Sequence, residues 1–214
     1  MLDDGEEEPI TLYFWPTPNG VKISIMLEEL GIPYNIKFVD LSKGEQHEPE
    51  FLAVSPNNKM PAIVDPDGPD GRPLSIFETG AILQYLGRKF GALYPSSERA
   101  KADVDQWLFW QVSGLGPAAS QCNHFRSAAP EKIPYAIDRF TDEVSRLFGV
   151  MDKRLSDRPY LAGAYSIADI ASFPWARRWK TLALDITKFP NVERWLAEIE
   201  ARPAVIKGLG VKKT

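Results

Sequence analysis

Pro56-Asn57-Asn58-Lys59-Met60-Pro61-Ala62-Ile63-Val64-Asp65 sets turn formers, one lysine and a proline directly before a short β-branched run. A proline at the mouth of a strand breaks no ladder, because its missing N–H lies where pairing begins. It also biases Met60 towards an extended backbone. An extended residue at a strand edge offers an N–H and a C=O that need partners. Two readings follow. The stretch is an ordinary loop entering a core strand, or it is an edge on which a peptide-like ligand pairs as an added strand.

Upstream, Ile10–Trp15 has the β-branched and aromatic composition of a buried strand, and Pro16-Thr17-Pro18-Asn19-Gly20 ends it. Val21–Leu30 predicts a helix with Ile25, Met26 and Leu30 on one face, stopped by Gly31. Tyr34–Val39 predicts a second strand, so this segment has the spacing of a parallel βαβ unit. Asp40–Ser55 is polar and carries Gly44, Gln46 and His47. Downstream, Ala62–Val64 and Pro73–Phe77 predict two strands joined by the Asp-, Gly- and Pro-rich turn Asp65–Arg72, a link short enough to make them antiparallel. From Thr79 the period becomes helical through Ile82, Leu83 and Leu86. Strand–helix–strand followed by strand–strand–helix is the thioredoxin-like α/β arrangement.

Residues 89–97, with Gly91 and Pro95, read as a linker between a domain at 10–88 and another at 98–214. No convincing strand follows. Ala102–Val112 is helical until Gly114-Leu115-Gly116-Pro117 interrupts it, and Ile133, Ile137, Phe140, Val144, Leu147, Met151 and Leu155 stripe one long helix. Ser166-Ile167-Ala168-Asp169 fits a capping box with Asp in place of Glu or Gln. It opens a buried helix over Ile167–Trp179, and a last helix covers Val192–Ile199, before Pro203. The second domain is expected to be all-α. Residues 1–9 carry five acidic side chains and read as a disordered tail.

Composition narrows the function. The 214 residues are 44% hydrophobic and 25% charged with a net charge of −4, as in a soluble globular protein without the basic face that phosphates require. No apolar run reaches bilayer length, and the start lacks a signal pattern. Cys122 is the single cysteine, which excludes an internal disulfide framework and a Cys-x-x-Cys pair. A reducing, cytoplasmic setting is expected. His47 and His124 lack metal-site spacing, so no metal is expected.

Five strings then join the two halves into a resemblance: Pro16-Thr17-Pro18-Asn19-Gly20, Ser42-Lys43-Gly44-Glu45-Gln46, Ser55 to Ile63, Phe77-Glu78-Thr79-Gly80-Ala81-Ile82, and Gln106-Trp107-Leu108-Phe109-Trp110-Gln111. With Ile133-Pro134-Tyr135-Ala136 and Tyr165-Ser166-Ile167-Ala168-Asp169-Ile170, they resemble cytosolic glutathione transferases from about Ile10 to Pro203. The Nu-class, disulfide-reductase branch is most similar, together with the related prion-forming nitrogen regulator.

The resemblance implies a homodimer that binds glutathione through a thioredoxin-like domain and carries an all-helical second domain. It implies a glutathione-dependent disulfide-bond reductase with weaker transferase activity. Conventional conjugation of electrophiles and a non-catalytic glutathione-binding regulator are the alternatives. Glu78 and Thr79 stand where a strand gives way to a helix, and free N–H groups there suit the γ-glutamyl carboxylate. Glu78 can pair the ligand ammonium, although either residue would also serve as a plain helix cap. Lys59 and Gln46 are expected at the glycyl end, against the alternative of a solvated loop lysine. Met60 would pair its backbone with the cysteinyl part, and Pro61 would follow a cis bond. Thr17 and Asn19 are the candidates for the thiol, or else simple turn residues. A free thiol titrates near ~8.5, so one hydrogen bond and a helix end suffice to yield substantial thiolate. Arg139 is expected to reach the glutathione site or to lie on the surface. Tyr13 is read as core and Cys122 as passive. Trp107, Phe109, Trp110 and Phe125 are read mostly as core, with one or two lining the co-substrate pocket.

Overall fold

The computed structural model describes residues 8–213, so most of the expected acidic tail falls outside the described residues. Strands β1 (Ile10–Phe14), β2 (Tyr34–Phe38), β3 (Ala62–Asp65) and β4 (Leu74–Phe77) form one sheet in the order β2-β1-β3-β4. β1 runs parallel to β2 and antiparallel to β3, and β4 is antiparallel to β3. Leu12 is the pivot of the register, opposite Ile36 on one side and Ile63 on the other. Both Leu12 and Ile63 are fully buried.

Helix α1 (Gly20–Leu30) ends on Gly31, whose φ of 66° is a left-handed turn that glycine adopts without a Cβ penalty. It departs from the one-faced pattern expected for it. Every residue from Gly20 to Leu27 is buried, because β1 packs on one side while the helices over Thr79–Phe90, Ile167–Ala176 and Pro203–Leu209 cover the rest. The polar stretch after β2 also holds a short helix the sequence pattern did not suggest, α2 (Pro49–Val54), with Pro49 in its first turn and Phe51 buried. Helix α3 (Thr79–Phe90) closes this half. Asp65 at the end of β3 ties it down, accepting from Tyr85 Oη at 2.6 Å and from Lys89 Nζ at 2.7 Å.

The second half is helical: α4 (Glu98–Trp110), α5 (Gly116–Asn123), α6 (Pro134–Leu155), α7 (Ile167–Ala176), α8 (Pro190–Glu200) and α9 (Pro203–Leu209). The expected break at Gly114–Pro117 does not occur. A π turn over Gln111–Leu115 carries α4 into α5, with Gly116 N–H bonded to the Gln111 carbonyl. The wider turn accommodates Pro117, which has no N–H to continue the α pattern. The α6 stripe holds from Val144 to Leu155 but runs out at its start, where Ile133 is 43% exposed. The capping box at Ser166 forms as expected, Asp169 included.

Helix α9, beyond the last helix expected, brings the chain back onto α1. Ser24 Oγ donates to the Gly208 carbonyl at 2.8 Å, and Arg202 makes a bidentate pair with Glu29 at 2.7 and 2.8 Å. Gly208 makes the approach possible, since a Cβ there would lie 2.7 Å from the Ile25 backbone. Gly208→Ala is therefore expected to destabilise the protein by about 1–3 kcal/mol through overpacking. Urea unfolding measures this, and an unchanged midpoint would show that α9 can lift off α1 at little cost.

Candidate active site

Two cavities of about 390 and 320 Å³ open side by side where the halves meet, and Asn19, Lys59 and Ser120 line both. Thr17, Gln46 and Met60 line the first, while Glu78 and Thr79 line the second. Seven of the expected site residues therefore share one continuous cleft. Arg139 does not line it; it lies exposed on α6, in a separate groove with Tyr135, Phe140 and Glu143.

Each position has a local cause. The turn after β1 is fixed by Thr17, whose Oγ1 accepts from Gly20 N–H at 3.0 Å and whose carbonyl accepts from Val21 N–H at 3.1 Å. The Thr17 oxygen thus caps α1 while its O–H is left to donate. Asn19 Oδ1 accepts the indole N–H of Trp175 at 3.0 Å, across the two halves. An indole N–H can only donate, so this bond fixes which end of the Asn19 amide is oxygen and leaves the NH₂ as a donor beside the cleft.

The Lys59–Met60 loop is pinned by buried Ser55, whose hydroxyl donates to the Lys59 carbonyl at 2.7 Å. The Met60–Pro61 bond is cis. The Met60 side chain is buried with Tyr13, Val39, Phe51 and Ala62, and its backbone precedes the ladder, whose register begins at Ala62. Beside it, Gln46 carries a buried Oε1 without a partner.

At the other end, Glu78 adopts φ 70° and ψ 119°, a conformation a side-chain-bearing residue holds only under constraint. Its side chain makes no capping bond to α3, so the plain-cap reading of Glu78 is not what the geometry presents. Thr79 is buried, and the twelve-residue helix α3 begins at this cavity, where its first N–H groups lack intrahelical partners. Lys22 was not singled out from sequence. It is 2% exposed, donating from Nζ to Gln111 Oε1 at 2.9 Å and to Thr79 Oγ1 at 3.4 Å. Burial lowers its pKa to about 7, against a smaller upward pull from Glu78.

Tyr13 sits in the minor core as expected, and Cys122 is buried with Thr141 Oγ1 3.6 Å from its sulfur. The aromatic residue that lines the cleft is Trp175, not one of the four expected. Phe109 is 58% exposed, Trp107 and Trp110 pack edge to face at the margin of the main core, and Phe125 stacks on Phe140. Among the described residues, no group of three or more His, Cys, Asp or Glu is placed to hold a metal ion. No helix among them is long and apolar enough to cross a membrane.

The molecule is thus a thioredoxin-like half with a cis-proline loop, joined to a helical half that completes the cleft. Comparison with known proteins places it in a family. Residues 8–88 match the glutathione S-transferase N-terminal domain, and residues 127–203 match the C-terminal domain. The disulfide-bond oxidoreductase YfcG of Escherichia coli K12 is 52% identical over 202 residues, covering 94% of each chain. Transcriptional regulator URE2 of Saccharomyces cerevisiae is 36% identical, covering 90% of this chain and 65% of its own. A crystal structure of a Pseudomonas putida glutathione transferase, with one glutathione disulfide bound per subunit, aligns with a TM-score of 0.92. It is 42% identical and covers 99% of this chain and 95% of that one. The chain belongs to the glutathione S-transferase family, in the branch that holds YfcG and URE2.

Proposed function

We propose that the chain is a glutathione-dependent disulfide-bond reductase with weaker transferase activity. The observation that carries this reading is the place of Asn19, which with Lys59 lines both cavities, Gln46 and Met60 lining the one end and Glu78 and Thr79 the other. An extended tripeptide spans roughly 10 Å. Bound between those ends, glutathione brings its central cysteinyl thiol to Asn19 and Thr17. Lys59 and Gln46 take the glycyl carboxylate, Met60 pairs the cysteinyl backbone, and Glu78 with Thr79 takes the γ-glutamyl head. Arg139, in its own groove, has no assigned contact in this reading.

Neither Asn19 nor Thr17 brings a thiol, so the nucleophile belongs to glutathione. Its thiolate attacks one sulfur of a disulfide RSSR, the S–S bond breaks, and one RS⁻ leaves and takes up a proton. The mixed disulfide of glutathione and R is then attacked by a second glutathione thiolate, giving glutathione disulfide and the second thiol. The protein supplies position and electrostatics. Residues 10–88 hold the tripeptide, residues 98–214 supply the Trp175 and Ser120 wall on the co-substrate side, and residues 89–97, the first two of which finish α3, link them. A homodimer in the cytoplasm completes the reading; the pairing is supported by Phe77 and Phe109, which are 37% and 58% exposed.

Retention on immobilised glutathione tests the site, followed by parallel assays with a small disulfide and an aryl halide. Binding with faster turnover of the disulfide is expected, and folded protein that does not bind would remove the reading. Binding without turnover of either co-substrate would favour a regulatory role like that named for URE2. A monomeric mass at micromolar concentration would contradict the dimer.

A further inference from the structure

We propose that Lys22 and Gln111 form a buried carboxylate receptor beneath Glu78 and Thr79, which positions the α-amino acid head of the ligand. The proposal rests on the glutathione reading above and deepens it.

Lys22 stands on a helix whose neighbouring residues, Val21, Ile23, Ile25 and Met26 among them, are all buried. An ammonium group has three N–H donors. Here the two partners are a hydroxyl and an amide oxygen, both neutral, and Lys22 forms no salt bridge among the described residues. Burying a cation without a matching anion is costly, and the low pKa of this lysine reflects that cost. Gln111 is fully buried as well, and its Nε2 has no acceptor. Its position depends on the π turn and on Gly116, where an added Cβ would lie 2.9 Å from that Nε2. Both side chains line the cavity that holds Glu78 and Thr79. Donors from the two halves of the molecule thus converge there with hydrogen-bonding capacity to spare, and what they lack is an anion.

The charged groups facing Lys22 are few. Glu78, from the start of α3, acts on it directly, and Lys59 shares the cavity from the loop before β3. The α5 side contributes only uncharged residues, such as Ser120 and Gln121. Glu78 therefore suits the ligand ammonium while Lys22 and Gln111 suit its carboxylate, so the pocket reads a zwitterion. A carboxylate placed beside Lys22 favours its protonated form, so binding above neutral pH must take up a proton.

S-methylglutathione is the probe, because it has no thiol to ionise on binding. Calorimetry at pH 6.5 to 8.5, in buffers of different ionisation enthalpy, counts the protons exchanged. Wild type is expected to take up a growing fraction of one proton as pH rises through 7, with affinity falling up to about tenfold per pH unit above it. Lys22→Met is expected to bind at least tenfold more weakly at pH 6.5 and to show neither the proton uptake nor the pH slope. Gln111→Leu is expected to bind several-fold more weakly with the slope retained.

If Lys22→Met kept wild-type affinity and proton uptake, Lys22 would be a structural pin between the two halves and the receptor would be refuted. Should that variant fail to fold, the wild-type proton count still decides, because an absent uptake refutes the proposal. Failure of folded wild type to bind S-methylglutathione at any pH would instead remove the glutathione reading itself, and the receptor with it.

Discussion

Replacing Asn19 by alanine is expected to slow reduction of a small disulfide about 10- to 100-fold, while Tyr13→Phe leaves the rate within about twofold. The difference follows from where the two side chains sit. Tyr13 is 8% exposed and packs its ring on Phe51 at 5.8 Å in the minor core, an arrangement phenylalanine preserves. Asn19 faces the cleft with its amide orientation locked by Trp175. A fixed donor aimed at developing negative charge is worth roughly 10²–10³-fold when it stabilises an oxyanion. Sulfur is larger and more polarisable, which places the expected effect below that range. The loss should carry a signature beyond rate. Without the Asn19 donor the bound thiol titrates higher, so the rise of activity with pH moves to higher pH. Trp175→Phe, which unlocks the amide but leaves it present, is expected to fall in between at several-fold. A larger loss from Tyr13→Phe than from Asn19→Ala would transfer the thiol site to the tyrosine.

Much of this geometry was legible in the sequence because it is written in local rules. Proline and glycine punctuate the turns on either side of β1 and β3, and the strand spacing alone distinguishes the parallel β1–β2 pair from the antiparallel β3–β4 pair. Glu78-Thr79 was visible as a strand-to-helix junction. What escaped notice depends on packing between elements distant in sequence. Helix α2 hides in a polar segment because six residues give too short a period to read, and only Phe51 is buried. The π turn defies the rule that Gly-Pro ends a helix, because it relocates one hydrogen bond rather than losing several. Trp175 was one of many apolar residues in α7, and nothing in its neighbours signals that its N–H crosses to Asn19, 156 residues away.

Lys22 did leave a signal. A lysine inside Val21-Lys22-Ile23-Ser24-Ile25-Met26-Leu27 belongs to a helix too apolar to have a solvent face, so its charge had to be buried. That inference was available once the run was read as hydrophobic all round rather than on one side. Arg139 illustrates the opposite limit. Only the resemblance pointed it towards a glutathione site or the surface, and in the described structure it lies exposed on α6.

Replacing Asp169 by alanine is expected to destabilise the protein by about 3–5 kcal/mol. Asp169 is fully buried at the start of α7 and accepts from Leu161 N–H and Trp195 Nε1–H on one oxygen, at 3.0 and 2.9 Å. The other oxygen accepts from Ser166 N–H at 3.1 Å and from its hydroxyl at 3.3 Å. Alanine leaves at least three buried donors without acceptors, at about 1–3 kcal/mol each, partly offset because a buried charge is also removed. Ser166→Ala, which deletes only the reciprocal half of the capping box, is expected to cost about 1 kcal/mol.

The offset is pH-dependent and gives the sharper test. Burial raises the Asp169 pKa from 3.8 to about 6, and the four donors pull it only part of the way back. A folded pKa above the unfolded one means that the folded protein holds the proton more tightly. This contribution to stability is complete below about pH 4 and is lost as pH rises through about 6. The deficit of Asp169→Ala should therefore be greater at pH 5 than at pH 7.5, by roughly 1–2 kcal/mol. Urea unfolding of both proteins at the two pH values measures it. Equal deficits would show that the four hydrogen bonds cancel the effect of burial and hold the carboxyl near its ordinary pKa. Trp195→Phe then separates the donors. It removes one neutral hydrogen bond to the carboxylate while filling most of the same volume, so its cost should rise with pH as the carboxyl ionises and fall where the carboxyl is protonated.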